Sequence, residues 1–175
     1  MIVGILGSGS SDSLTRKGME EVAAQVRAAG MEFELIDLRS EFRQLQDMEE
    51  YSEAPADSQT VALRKRVAQA SGIVLATPVY HGTFSGLLKN ALDHLTGDAF
   101  AHLPVGILAA GGGPRSASVA CDHLRSVVRA LSGWSTPTHV GMTYGDVSDS
   151  GPTEDLRERI ADMVVELKSF PGRRA

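Results

Sequence analysis

Short apolar runs alternate along this chain with stretches of helical period. Ile2–Leu6, Met31–Ile36, Gly72–Ala76 and Leu103–Ala109 read as strands. The β-branched run Ile2–Leu6, GIVLA and the run at 103–109 are the continuous apolar type that is buried on both faces. Trp134–Met142 is a weaker fifth strand, because Pro137 lies inside it, and that places it at a sheet edge. Between the strands the period changes. A helix is predicted from about Leu14 to Ala29, with Leu14, Gly18, Val22 and Val26 on one face and Gly30 as its stop. Ser58–Ala70 is helical, with Val61, Val67 and Ala70 apolar. Leu87, Leu88, Ala91, Leu92 and Leu95 form the apolar face of a third helix. Ser116–Leu131 follows the same pattern, and a last helix opens at Pro152 or Thr153. Pro78 is expected to end the third strand, since it cannot extend a central one.

Two stretches break the alternation. Leu38–Asp57 is polar, acidic and carries Pro55. It is long for a connection in a compact domain, so it is either a functional loop or a solvated one with no role. Thr143–Pro152 is a polar loop, and the final GRRA reads as frayed. Five strands alternating with five helices give an α/β class with a parallel sheet, in one domain spanning residues 1–175. At this length the expected arrangement is a three-layer sandwich whose five-stranded sheet has the flavodoxin-like order 2-1-3-4-5.

That order places three loops on the carboxyl edge of the sheet. In Gly7–Ser13 the residues Ser8, Ser10, Ser11 and Ser13 offer hydroxyls and Gly7 and Gly9 a bare backbone, ahead of a helix amino terminus. This is the chemistry of a phosphate cradle. It has no P-loop lysine and fails G-x-G-x-x-G at Asp12, which argues against a nucleoside triphosphate and weakens a dinucleotide reading. The alternative is an ordinary strand-to-helix turn capped by Ser11 or Asp12. Pro78, Val79, Tyr80, His81 and Gly82 offer backbone groups and ring edges to a flat ligand, and Gly111 and Gly112 let backbone approach it. Asp37 follows the second strand, where a ribose-binding acid would stand, but it also suits a plain strand end.

Composition narrows the choice of ligand and partner. A net charge of −5 argues against a nucleic-acid partner. No apolar run reaches the length of a membrane span, and the amino terminus starts a strand with no basic leader. The single cysteine, Cys121, cannot form an internal disulfide, so a cytoplasmic location is expected. The five histidines show no metal-ligand spacing, so no metal is predicted. No nucleophile elbow occurs, and Cys121 falls within a helix as a packing residue.

The stretch TPVYHGTFSGLLKNALDHL resembles the signature of the NADPH-dependent FMN reductases of the flavodoxin-like superfamily. Thr77, Pro78, Tyr80, Gly86, Leu88, Lys89, Asn90, Leu92 and Asp93 match the pattern T-P-x-Y-x-x-x-x-x-G-x-L-K-N-x-L-D. Phe84, Ser85, Gly86, Gly111 and Gly112 are similar to the branch that serves two-component monooxygenases, including the alkanesulfonate systems. The resemblance implies FMN as the flavin, NADPH or NADH as the donor, and hydride transfer from the nicotinamide to flavin N5 with no catalytic side chain. It implies phosphate contacts from the first loop, where Ser8, Ser10, Ser13, Leu14 and Thr15 are the candidates, and ring contacts from Pro78 through Gly82 and from Gly111 and Gly112. A homodimer or homotetramer built on the leucine-rich helix and a monooxygenase partner are further expectations. Arg115 is a candidate for a nicotinamide-nucleotide phosphate, or else a solvated surface residue. One position departs from the family pattern: Ser10 stands where an arginine is common. That departure suits an enzyme that binds flavin as a substrate and releases it reduced. The alternatives are an FMN-containing quinone or azo-dye reductase and a non-enzymatic electron carrier of flavodoxin type.

Overall fold

The computed structural model describes residues 1–49 and 51–171, so the GRRA terminus lies outside the described residues. In chain order the elements are β1 (Ile2–Leu6), α1 (Leu14–Ala28), β2 (Phe33–Asp37), α2 (Leu38–Glu41), α3 (Gln59–Ala68), β3 (Gly72–Tyr80) and β4 (Thr83–Phe84). Then come α4 (Gly86–Asp93), β5 (Pro104–Ala110), α5 (Pro114–Ala130), β6 (Trp134–Ser135) and β7 (Val140–Met142). A 3₁₀ turn (Tyr144–Asp146), β8 (Val147–Ser148), β9 (Gly151–Pro152) and α6 (Glu154–Ser169) complete the chain.

Parallel pairing runs β2-β1-β3-β5, with β6 and β7 both beyond β5. β6 and β7 are the halves of the expected fifth strand. Trp134 sits opposite Pro104 and Val140 opposite Leu108. The ladder breaks between them, at Pro137. There the Thr138 amide donates instead to Glu166 on α6, at 2.9 Å. Taken as one interrupted strand, the order is 2-1-3-4-5, the flavodoxin-like arrangement.

The sequence reading of Pro78 is corrected. β3 does not stop there but runs on to Tyr80, with Pro78 in register with Ala110. The reason lies in which side the missing N–H would face. Ala76 accepts from the Gly7 amide at 2.8 Å, so it points toward β1, and Pro78 two residues on points the same way. β1 has ended by then, so the missing donor interrupts no ladder bond. Tyr80 then pairs with Thr83 across His81 and Gly82, whose φ angles of 50° and 83° make a two-residue hairpin turn.

Two cores sandwich the sheet. One face carries α1 and α6 through Met19, Val22, Leu156, Ile160 and Met163, and the other carries α3, α4 and α5 through Leu63, Leu88, Leu92, Ala120 and Leu124. Leu88, Ala91, Leu92 and Leu95 are all buried within the protomer and Leu87 half-buried. The leucine-rich face on which an oligomer is expected is thus used by the chain's own core. The long connection after β2 is not freely solvated either. Phe42 is buried, the Asn90 side chain accepts from the Gln46 amide (3.0 Å) and donates to the Gln44 carbonyl (2.8 Å), and the Tyr51 hydroxyl donates to the Leu95 carbonyl. The signature asparagine thus fastens this connection to α4. Among the described residues, no helix is long and apolar enough to cross a membrane.

Candidate functional site

A cavity of about 470 Å³ opens at the carboxyl edge of the sheet, where β1, β3, β5 and β7 all deliver their loops. Its lining includes Ser8, Ser10, Ser13, Leu14 and Thr15 from the first loop and helix turn, Pro78, Val79 and Tyr80 from β3, and Gly111 and Gly112 after β5. These ten sequence candidates are thus brought together around one space. His81 and Gly82 are not among the lining residues: they form the exposed hairpin turn beside it. Arg115 is exposed and also outside the lining.

The first loop is shaped by its own hydroxyls. Ser8 is fully buried, and its Oγ accepts from the Ser10 amide at 3.3 Å. The Ser10 hydroxyl donates to the Asp12 carbonyl at 3.0 Å. The cap of α1 is Ser13, not Ser11 or Asp12: its Oγ accepts from the Arg16 amide at 3.1 Å. Asp12 stands at the rim of the cavity, with its side chain 86 % exposed and 3.5 Å from Lys17. A helix's first amides have no carbonyl one turn back to bond, and Leu14 and Thr15 of this turn line the cavity.

Ser85 joins this loop to the signature helix. It is buried, its hydroxyl donates to the Gly7 carbonyl at 2.6 Å and accepts from the Leu88 amide at 3.1 Å, and its own amide donates to Thr77 Oγ1 at 2.9 Å. The signature Thr and Ser therefore lock the ends of β1 and β3 against the start of α4. Asp37 is committed elsewhere: it pairs with Arg16 at 2.6 Å and caps α2 through the Arg39 amide. The ribose reading of Asp37 has no place in this geometry.

Besides Lys17 on α1 and Ala110 at the end of β5, the lining residues that escaped the sequence reading form one wall: Tyr144, Val147, Ser148 and Asp149. They belong to the polar stretch after the fifth strand. Its position was recoverable, because a fifth parallel strand also ends on the carboxyl edge. The β8–β9 hairpin holds this wall, and an ion pair between Arg159 on α6 and Asp146 anchors it. Asp146 also accepts from the Thr143 amide (2.7 Å) and hydroxyl (3.0 Å).

The residues present fit a flavin mononucleotide. The volume lies in the range of cofactor pockets. Its lining combines the hydroxyls of the first loop and the first turn of α1 with Val79, Tyr80 and the glycine backbone. A Cβ on Gly112 would meet no atom within 4 Å, so its backbone is open to the cavity. Among the described residues that line the cavity there is no histidine and no cysteine. Cys121 is buried on α5 and burial pushes its thiol up to about 12. Ellman's reagent at neutral pH is expected to leave the folded protein unmodified and to titrate one thiol only after denaturant is added. Rapid reaction of the native protein would refute this placement.

The family model described as NADPH-dependent FMN reductase matches residues 1–146. An NADPH azoreductase of Bacillus sp. (strain OY1-2) is 35% identical over 154 residues, which is 87% of this chain and 85% of that protein. An FMN-dependent NADPH-azoreductase of Staphylococcus aureus is 40% identical over 107 residues, covering 61% of this chain and 55% of its own length. Among solved structures, an NADH:FMN oxidoreductase in its apo form superposes with a TM-score of 0.73 at 27% identity, over 97% of this chain and 91% of that one. A model match that starts at the first residue and runs past the cavity loops of β1, β3 and β5, together with a relative aligned over most of both chains, places this chain in the NADPH-dependent FMN reductase family.

Proposed function

We propose that this chain is an NAD(P)H-dependent flavin reductase that holds FMN in the cavity at the carboxyl edge of the sheet. The observation that carries the reading is the convergence of the serine loop, the end of β3 and the glycine loop on a single space of about 470 Å³. When bound, the flavin supplies the redox chemistry, accepting a hydride from the nicotinamide and passing electrons on. The chain's own work is binding and orientation. Ser8, Ser10, Ser13 and the first amides of α1, with Leu14 and Thr15, hold the phosphate end. Pro78, Val79 and Tyr80, flanked by His81 and Gly82, fix one edge of the ring, and the backbone at Gly111 and Gly112 the pyrimidine edge. Tyr80, 49% exposed at the mouth, would meet the edge of a bound ring.

A reductase of azo or quinone compounds is the second reading, and the names of the relatives from Bacillus and Staphylococcus favour it. A monooxygenase that consumes the reduced flavin remains part of the first reading. A homodimer or homotetramer is also proposed, with support now from Leu45 and Met48 rather than from the leucines of α4. These two are 79% and 72% exposed on the connection that Asn90 fastens. The lone, buried Cys121 supports a cytoplasmic location. The test is steady-state turnover with NADPH and NADH against free FMN, FAD, riboflavin, a quinone and an azo dye. Oxidation of either nicotinamide on addition of free FMN is expected. Turnover only with the dye or quinone, with flavin retained through gel filtration, would select the second reading, and no turnover with any acceptor would defeat both.

A further inference from the structure

We propose that Lys17 is the side-chain cation that binds the flavin's phosphate in this chain, and that Asp12 competes with the phosphate for it. The proposal rests on the FMN reading above. Among the described residues lining the cavity, the charged ones are Lys17, Asp12 and Asp149. Ser10 occupies the position where the family pattern commonly has arginine, so the loop itself supplies no cation. The two nearby guanidinium groups are placed elsewhere. Arg16 is tied to Asp37 at 2.6 Å at the end of β2, and Arg115 is exposed outside the lining.

Lys17 is placed differently. It sits in the first turn of α1, and its Nζ lies 3.5 Å from Asp12 Oδ1. The side chain therefore reaches back toward the amino-terminal end of the helix, and Lys17 lines the same cavity as Ser8, Ser10 and Ser13. Its side chain is 50% exposed and that of Asp12 86%. A pair this solvated is held weakly. A phosphate at the helix amino terminus carries more charge than one carboxylate and sits among donors already aimed at it, so it is the stronger partner for the ammonium. Once displaced, the Asp12 carboxylate returns to water with little desolvation to undo. It nevertheless remains close to a bound anion and weakens it. The Ser10 hydroxyl bond to the Asp12 carbonyl keeps that residue at the mouth of the cradle. The loop's missing cation is thus supplied by a movable lysine with a built-in competitor, which makes the phosphate grip adjustable and sensitive to salt.

The test is binding of FMN and of riboflavin, which lacks the phosphate, to flavin-free protein. Flavin fluorescence is followed for the wild type, Lys17→Met, Asp12→Asn and the double variant, at low and at moderate salt. Both positions are exposed, so the variants are expected to fold as the wild type does, and melting curves check this. Lys17→Met is expected to weaken FMN about tenfold at low salt and to leave riboflavin unchanged. Asp12→Asn is expected to tighten FMN about threefold, with a smaller gain in the Lys17→Met background. If wild type binds FMN and riboflavin equally, the serine loop holds no phosphate and the underlying FMN reading fails. If wild type prefers FMN and Lys17→Met keeps that preference in full, the lysine proposal alone is overturned. Unchanged or weaker FMN binding by Asp12→Asn would overturn the competition.

Discussion

Valine in place of Gly7 is expected to abolish flavin binding and to lower the melting temperature by roughly 10 °C. Gly7 is where β1 ends and the serine loop begins, and three elements meet around it. A Cβ built there would lie 2.6 Å from Leu88 Cβ, 3.1 Å from Ser85 Oγ and 3.3 Å from the Ala76 carbonyl oxygen. Leu88 Cβ is fixed to the backbone of α4, so no rotamer change relieves the clash. Either α4 moves away from β1 or the loop is displaced. Moving α4 strains the Ser85 bond to the Gly7 carbonyl and the cap on Leu88. Displacing the loop breaks the Gly7 amide bond to Ala76. Overpacking of this kind costs about 3 kcal/mol, which corresponds to roughly 10 °C in a domain of this size. Alanine is expected to be nearly as harmful as valine, because the first side-chain carbon already collides. Gly9→Ala is the control. A Cβ there meets nothing within 4 Å, so the melting temperature should be retained. Thermal melts and an FMN titration of the three variants decide the matter. Full flavin binding by Gly7→Ala would show that the loop and α4 are not coupled.

The contrast between Gly7 and Pro78 shows what the sequence could and could not reveal. Alternating apolar runs and helical faces were enough to place the strands, the helices and three of the loops on one edge. They could not show that Pro78 continues β3, because that depends on which neighbour its absent N–H would face. β1 ends two residues earlier, and this is a matter of register between distant segments. The split of the fifth strand was signalled by Pro137. Its consequence, a ladder that resumes at Val140 against Leu108, depends on β5 continuing past the break. In the first loop, residue types pointed to a phosphate cradle, whereas which serine caps α1 was set by backbone geometry. Ser8 is buried and turned toward the Ser10 amide, and Ser13 serves the cap. The leucines of α4 looked more numerous than one sheet face needs. The sequence does not show that the long connection after β2 folds back over this helix, burying Phe42 and bonding to Asn90 and Leu95. The fourth wall of the cavity was the largest omission, and its cause is similar. Tyr144, Val147, Ser148 and Asp149 lie in a stretch with no apolar period, and Arg159 of the following helix holds them in place through Asp146.

Arg159→Met is expected to loosen that wall, to weaken FMN about tenfold and to lower stability by about 2 kcal/mol. Arg159 lies on the polar side of α6, yet its guanidinium does three things. It pairs with Asp146, it donates to the Gly141 carbonyl at the end of β7, and it pairs with Asp155 at 2.8 Å one turn back on its own helix. The Asp155 contact is a solvated helix pair and contributes little. The Asp146 contact carries the effect, because that side chain is only 16% exposed and already accepts from Thr143, so losing its cation leaves a largely desolvated charge. Asp146 also fixes the return of the chain, since its carbonyl accepts from the Thr153 amide at 2.9 Å, just where α6 begins. Freed at this corner, the 3₁₀ turn and the β8–β9 hairpin should exchange their amides faster, while β1, β3 and β5 keep their protection. Methionine preserves the length and apolar contact of the side chain, so the change reads the charge and its hydrogen bonds rather than a cavity. Arg159→Lys should recover part of the stability through Asp146 alone, because an ammonium cannot span both Asp146 and the Gly141 carbonyl in the plane of a guanidinium. Hydrogen exchange and FMN titration separate the two claims. Faster exchange over residues 144–152 with unchanged FMN affinity would show that the hairpin lines the cavity without gripping its ligand. Unchanged exchange would show that Arg159 does not hold the wall.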